Sequence, residues 1–369
     1  MEGTNPGVQC FFCLTPGVAM SQVVKLIVAA TLVSCLHPAG FAQLSVAPTP
    51  LTLSDHLLTV QTPAYATYGV PQCDTNGTIY MRHEAADNSS WNLARVSADG
   101  TAEQTELAAV PGFGDMHTFA MATSDGGAAH EIVRAWDEND NSDAPSIYYL
   151  QFDPDGSFRS RVAFANEFIP TMLLPLPSGD FFAVGVVMKK QPGMEDTEEI
   201  PLAGIFDSDA RLRSKLQSAT PDADGHAAAA KSDGESDIEE AMLRGGQARL
   251  GDDGDIYVLL STSTTRVRVY RQSGEFRREM KLQQPFQEGL ATGLWISGGR
   301  LLVTYEGEAD NPKDAITYIL YDARSGEFIR AYRPEYTGTV ACFEDGQSLT
   351  VLVNDKYSGK LEMGTTQLQ

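Results

Sequence analysis

The mature part of the chain carries few residues that could do chemistry. Its histidines are His56, His83, His117, His130 and His226, and no two are spaced to share one face of a helix as a zinc pair would. No Gly-x-Ser-x-Gly elbow, no phosphate-binding glycine loop and no dinucleotide-binding glycine pattern is present. The nearest approach to a ligand cluster is residues 137–143 (DENDNSD). Asp137, Asn139, Asn141 and Asp143 stand at alternate positions and offer hard oxygen donors of the kind calcium takes. The sixth position is Ser142 where calcium loops need glycine, and the twelfth is Tyr148 where they use a bidentate glutamate. The expected reading is a solvated hairpin loop and no cofactor, with calcium as the alternative. A second pair, Asp115 and His117, lies on one strand and is the best nucleus for acid–base chemistry.

Five cysteines divide between two regions. Cys10 and Cys13 form a CxxC spacing, but they precede an export signal. Lys25 leads an apolar run from Leu26 to Leu36, Pro38 breaks it, and Gly40-Phe41-Ala42 places small residues at a cleavage site. The run is too short to span a bilayer, and translation from Met20 would give the signal its usual form. Cleavage after Ala42 divides the chain into a signal segment, 1–42, and a single domain, 43–369, in the periplasm or outside the cell. Leu32-Val33-Ser34-Cys35 also resembles a lipobox, which would instead leave Cys35 lipidated and anchored to the envelope. Only Cys73 and Cys342 belong to the mature domain. An oxidising compartment favours their pairing. Each precedes a turn glycine by four residues, and equal offsets would point both side chains the same way, which opposes it.

The elements that carry these residues repeat. Gly77, Gly126, Gly179, Gly254, Gly299 and Gly346 each precede an apolar run such as Ile256–Leu260. A second family of turns, at Asp99-Gly100, Asp155-Gly156, Asp209-Ala210, Ser273-Gly274 and Ser325-Gly326, interleaves with the first. Both recur about every fifty residues, which marks a four-stranded unit repeated six times. The expected fold is all-β: a six-bladed β-propeller of four-stranded antiparallel blades. The sixth unit lacks a fourth strand, and residues 56–62 form an orphan strand. They are expected to pair with Leu361–Thr366 and close the ring.

Residues 253–258 (DGDIYV), 266–270 (RVRVY) and 273–276 (SGEF) together resemble a blade of the NHL type. The remaining units keep the turns and strand order without the arginine-bearing third strand. The resemblance, to bacterial NHL-like or TolB-like propellers, implies the fold. The family holds both binding modules and enzymes.

One step of the repeat is about 25 residues longer than the rest, and the excess maps to 218–246. This acidic insertion reads as an irregular loop followed by a short helix with Ser236 as N-cap and Gly245 as its stop. The chain as a whole carries −22, which excludes nucleic acid and anionic lipid as partners. The loops 83–90, 136–145, 189–200, 218–246 and 306–314 hold −16 of that total, and propeller topology brings all five to one face. The reading that follows is an exported, monomeric, non-enzymatic binding or scaffold propeller with a protein or small-molecule ligand. A channel-based hydrolase or lyase of lactonase type is the alternative. Intact-mass measurement of the exported protein should give an N-terminus at Gln43, and a mass including diacylglyceryl-Cys35 would establish the lipoprotein route instead.

Overall fold

The structure is a computed structural model. It describes residues 47–54, 57–60, 67–84, 91–138, 144–165, 168–190, 197–217, 219–221, 227–229, 247–261, 264–284, 290–307, 315–355 and 360–369. The signal segment with Cys35 lies outside them, and the fold is that of the unit Gln43–Gln369. Every regular element among the described residues is a strand, and no helix there is long and apolar enough to cross a membrane.

Two short strands, β1 (Thr49–Leu51) and β2 (Leu58–Val60), come first. Blade 1 follows as β3 (Thr67–Cys73), β4 (Ile79–Glu84), β5 (Trp91–Val96) and β6 (Ala102–Glu106). Blade 2 is β7 (Phe113–Thr123), β8 (Ala129–Asp137), β9 (Ser146–Phe152) and β10 (Phe158–Ala163). Blade 3 is β11 (Phe168–Pro175), β12 (Phe181–Lys190), β13 (Thr197–Phe206) and β14 (Leu212–Lys215). A ribbon, β15 (Ala219–Pro221) with β16 (Ala227–Ala229), then leads to blade 4: β17 (Gln247–Leu250), β18 (Ile256–Ser261), β19 (Thr265–Tyr270) and β20 (Phe276–Lys281). Blade 5 is β21 (Leu290–Ser297), β22 (Arg300–Glu306), β23 (Ile316–Asp322) and β24 (Phe328–Pro334). Blade 6 has three sequential strands, β25 (Thr339–Glu344), β26 (Ser348–Asp355) and β27 (Lys360–Gln367). Each blade is an antiparallel meander, and the six form a propeller.

The turns follow from their side chains. Asp74 Oδ1 accepts from the amides of Asn76 and Thr78, both at 2.9 Å. Asp99, Asp155, Asp207, Asp253 and Asp322 accept amides two residues on in the same way. Much of the acidity in these turns is therefore structural.

The core is a ring of layers between blades. Six buried clusters occupy the six interfaces, one each. A blade covered on both sides needs apolar residues on both faces, which is why Ile256–Leu260 is a continuous buried run without alternation. Turn glycines set the spacing. A Cβ on Gly156 would lie 2.4 Å from the Glu106 carbonyl of the preceding blade, so only a glycine there, already at φ 80°, lets the two blades meet.

Closure uses the N-terminal segment. β2 pairs antiparallel with β27, Leu58 opposite Met363 and Val60 opposite Leu361. It stands beside Gly100 of blade 1 just as β6 stands beside Gly156 of blade 2, so it replaces the missing fourth strand. β1 was not anticipated from the sequence. It adds to β24 in parallel, Leu51 opposite Pro334, as a fifth strand on blade 5.

Cys73 and Cys342 are joined across the blade 6–blade 1 seam, Cα atoms 5.3 Å apart. Their equal offsets from a glycine mislead, because the glycines occupy different places in their turns. Cys73 is one residue from the closing Asp74–Thr78 pair, whereas Cys342 is two residues from the closing Glu344–Ser348 pair. Side chains alternate along a strand, so the two cysteines face opposite ways round the ring, each toward the other's blade.

The first part of the acidic insertion, expected as an irregular loop, contains the β15–β16 ribbon, with Ala219 opposite Ala229. The helix expected near Ser236 lies outside the described residues.

Deleting residues 43–64 removes β1 and β2 and exposes the β27 edge together with the Val60 contact surface. The truncated chain should aggregate or melt well below the full chain in calorimetry. Replacing Cys73 and Cys342 together by serine should cost about 2–5 kcal/mol in denaturant titration.

Candidate functional site

The inner strands of the blades wall the central channel, and their N-terminal ends share one face with the long loops. Phe113 at the start of β7 pairs with Asp137 at the end of β8, and Leu290 at the start of β21 pairs with Glu306. This rim exposes apolar and hydroxyl groups. Leu290 is 60% exposed, Met116 39% and Trp136 51%. Thr171, Thr292 and Thr339 are exposed as well.

Bulges put several of these groups there. The β11–β12 register skips from Pro170 to Met172, and the β21–β22 register from Ala291 to Gly293, leaving Thr171 and Thr292 as the unpaired extra residues. Gly185 makes the first bulge possible, since a Cβ there would lie 2.2 Å from the Ile169 carbonyl. The bulge of β21 is held from the preceding blade. Gln247 donates to the Thr292 carbonyl and accepts from the Leu294 amide at 3.2 Å.

The sequence singled out Asp115 and His117. His117 is exposed, sits opposite Arg134, and meets Phe119 edge-on at 5.1 Å. Trp136 follows Arg134 on the same face of β8. The described side chains here form a cation and aromatic platform. The side chain of Asp115 is outside the described set. Among the described residues, the group of three or more Cys, His, Asp or Glu close enough to share an ion is Cys73, Cys342 and Glu344, far along the inner strands from this platform.

Of the four expected calcium ligands, Asn139, Asn141 and Asp143 lie outside the described residues. Asp137 is described, and its carboxylate is 2.9 Å from the Arg161 guanidinium. Arg161 lies over the Phe113 ring at 4.7 Å and donates to the Pro111 carbonyl at 2.8 Å. Asp137 thus ties β8 to the segment that enters β7.

Sequence reasoning missed three polar groups inside the ring. Arg249 on β17 is surrounded by protein, with solvent still reaching part of it, and burial pushes its guanidinium down to about 10. It remains a cation at neutral pH, and its guanidinium donates to the Ala248 carbonyl at 3.2 Å. Glu131 on β8 is 1% exposed in the blade 1–blade 2 interface. Burial pushes its carboxyl up to about 7, with Arg82 opposing the shift. Its neighbour His130 points the other way, toward blade 3, where its Nδ1 is 2.7 Å from the Tyr149 hydroxyl and burial pushes the imidazole down to about 4. No spacing flags these groups, because burial in a propeller is set by the neighbouring blade.

The arginines that carry the NHL-like resemblance are structural. Arg268 is buried and donates to Glu279 at 2.6 Å directly across the β19–β20 pair.

No family model and no curated protein matches the sequence. Solved structures do resemble the fold. A protein of unknown function from Dyadobacter fermentans is 11% identical with a TM-score of 0.46, covering 90% of this chain and 100% of that one. A protein described as exported, from Bacteroides fragilis, is 12% identical with a TM-score of 0.47, covering 89% and 98%. Virginiamycin B lyase from Staphylococcus aureus is 11% identical with a TM-score of 0.39, covering 85% and 99%. These are likenesses of propeller fold.

Glu131 and His130 give opposite pH dependences. A carboxyl raised to about 7 stays protonated in the fold while the unfolded chain ionises, so stability falls from about pH 4.5 to 7, by ~3 kcal/mol in all. An imidazole lowered to about 4 stays neutral in the fold, so its contribution is lost as pH falls from about 6.5 to 4, by a similar amount. The two slopes oppose each other between about pH 4.5 and 6.5. Denaturant titrations across that range should show wild-type stability nearly flat, with Glu131→Gln unmasking a rise with pH. An unchanged profile in that variant would contradict the assignment.

Proposed function

We propose that this chain is an exported, non-enzymatic binding propeller of a bacterial cell envelope that holds a basic protein on the face where its long loops emerge. The observation that carries the reading is Trp136, 51% exposed at the end of β8, with Met116 and Leu290 exposed on the same rim. Large exposed apolar groups ringed by charge are the anatomy of a protein-binding surface. The five loops on that face hold −16, which supplies the attraction for a cationic partner. The turns at the opposite ends of the strands are acidic too, but their aspartates are occupied in capping amides.

A lysine-rich polypeptide is the probe for the electrostatic half of this reading. Its affinity for the full chain should fall steeply between low and physiological salt, and should weaken further when residues 218–246 are replaced by a short neutral linker. Trp136→Ala should leave that affinity unchanged while weakening, by about tenfold or more, a partner captured from envelope extract and then purified. Salt-independent binding, or indifference to loop removal, would overturn the proposal.

A further inference from the structure

The blade 6–blade 1 seam gathers more than a covalent link. The ligand atoms of Cys73, Cys342 and Glu344 lie within 4.8 Å of one another. Cys342 is buried, while Cys73 and Glu344 are half-buried, so a small reagent can reach the group from the side of blade 1. Two further carboxylates lie close by. Asp74 is fully engaged, its Oδ1 by two turn amides and its Oδ2 by the Tyr80 hydroxyl at 3.1 Å. Glu344 is the carboxylate left to act. No lysine or arginine ion pair relieves Asp74, Glu344 or Asp345 among the described ion pairs.

We propose that reduction of the Cys73–Cys342 disulfide converts the seam into a three-ligand site for zinc, with both thiolates and the Glu344 carboxylate as ligands and water in the fourth position. A dithiol reductant supplies two electrons and two protons. The protein S–S bond breaks to give two thiols, and the reductant becomes a disulfide. Zinc then displaces the two thiol protons, and the bound set carries one net negative charge. Zinc takes thiolate at about 2.3 Å and carboxylate at about 2.0–2.2 Å, so tetrahedral ligands lie about 3.3–3.8 Å apart. The three ligand atoms lie within 4.8 Å of one another, so the Glu344 carboxylate must close by up to about an ångström and the two sulfurs must move apart across the seam. Zinc binds thiolate, so metal entry and loss of the two thiol protons are one coupled step. The ring would then be closed by a covalent bond under oxidation and by a metal bridge under reduction, in both cases between its first and last blades.

The experiment uses the full chain with Cys10, Cys13 and Cys35 replaced by serine and no histidine tag, so that the seam holds every remaining thiol. The protein is reduced with a phosphine, which takes its oxygen from water and delivers water's two protons to the sulfurs. Cobalt(II) is added as a spectroscopic stand-in for zinc, and zinc is then titrated by calorimetry. The expected result is a sulfur-to-cobalt charge-transfer band in the reduced protein alone, displaced by one equivalent of zinc. Glu344→Gln should keep both thiols and the fold, monitored by near-ultraviolet circular dichroism, yet weaken zinc about tenfold or more. Three results would each overturn the proposal: no cobalt band in reduced protein that remains folded, equal zinc binding by the oxidised protein, or zinc affinity unchanged by Glu344→Gln.

Discussion

Both faces of every blade are apolar, and a sheet covered on both sides has no natural end. Each blade buries one face against the blade before it and the other against the blade after, so the hydrophobic layers run round the molecule as six separate clusters. Five of the interfaces join blades that are consecutive in the chain. The sixth joins blades whose linked cysteines are 269 residues apart, and the stability of every other layer depends on it. That seam is accordingly the most heavily built. It combines a borrowed strand, a disulfide, a close approach of Glu344 to Gly77, and a cluster in which Val60 from the N-terminal segment packs with Ile79 of blade 1 and Leu361 of blade 6.

The constraint also explains where polar groups are found. A polar side chain on a blade face is buried by the next blade whatever its own strand would prefer. Arg268 meets Glu279 directly across a strand pair, the arrangement that makes such burial tolerable. Glu131 has Arg82 as its electrostatic partner, and burial nevertheless pushes its carboxyl toward the neutral form. Function is left to the parts that the ring does not bury: the ends of the inner strands, the bulges that turn threonines outward, and the loops above them. Stability thus lives between blades, which lets the loops beyond them lengthen, as 218–246 has, without disturbing a core layer.

The repeat period, the turn residues and the missing fourth strand of the last unit were all legible in the amino-acid sequence. Asp-Gly turns and runs such as Ile256–Leu260 are local features, dictated by backbone conformation and by burial on both faces. The partner of residues 56–62 followed from counting strands, because an unpaired edge at Leu361 demands one. The sequence also carries the acidity of the long loops, −16 of the −22. What the tertiary structure alone decided was orientation. The direction of Cys73 relative to Cys342 turned on where the glycine sits within each turn, the addition of β1 in parallel to β24 on an edge the sequence does not mark, and the protonation of Glu131 and His130 on which blade each faces. Side chains alternate along a strand, so a shift of one residue reverses every contact, and no spacing in the chain records that shift.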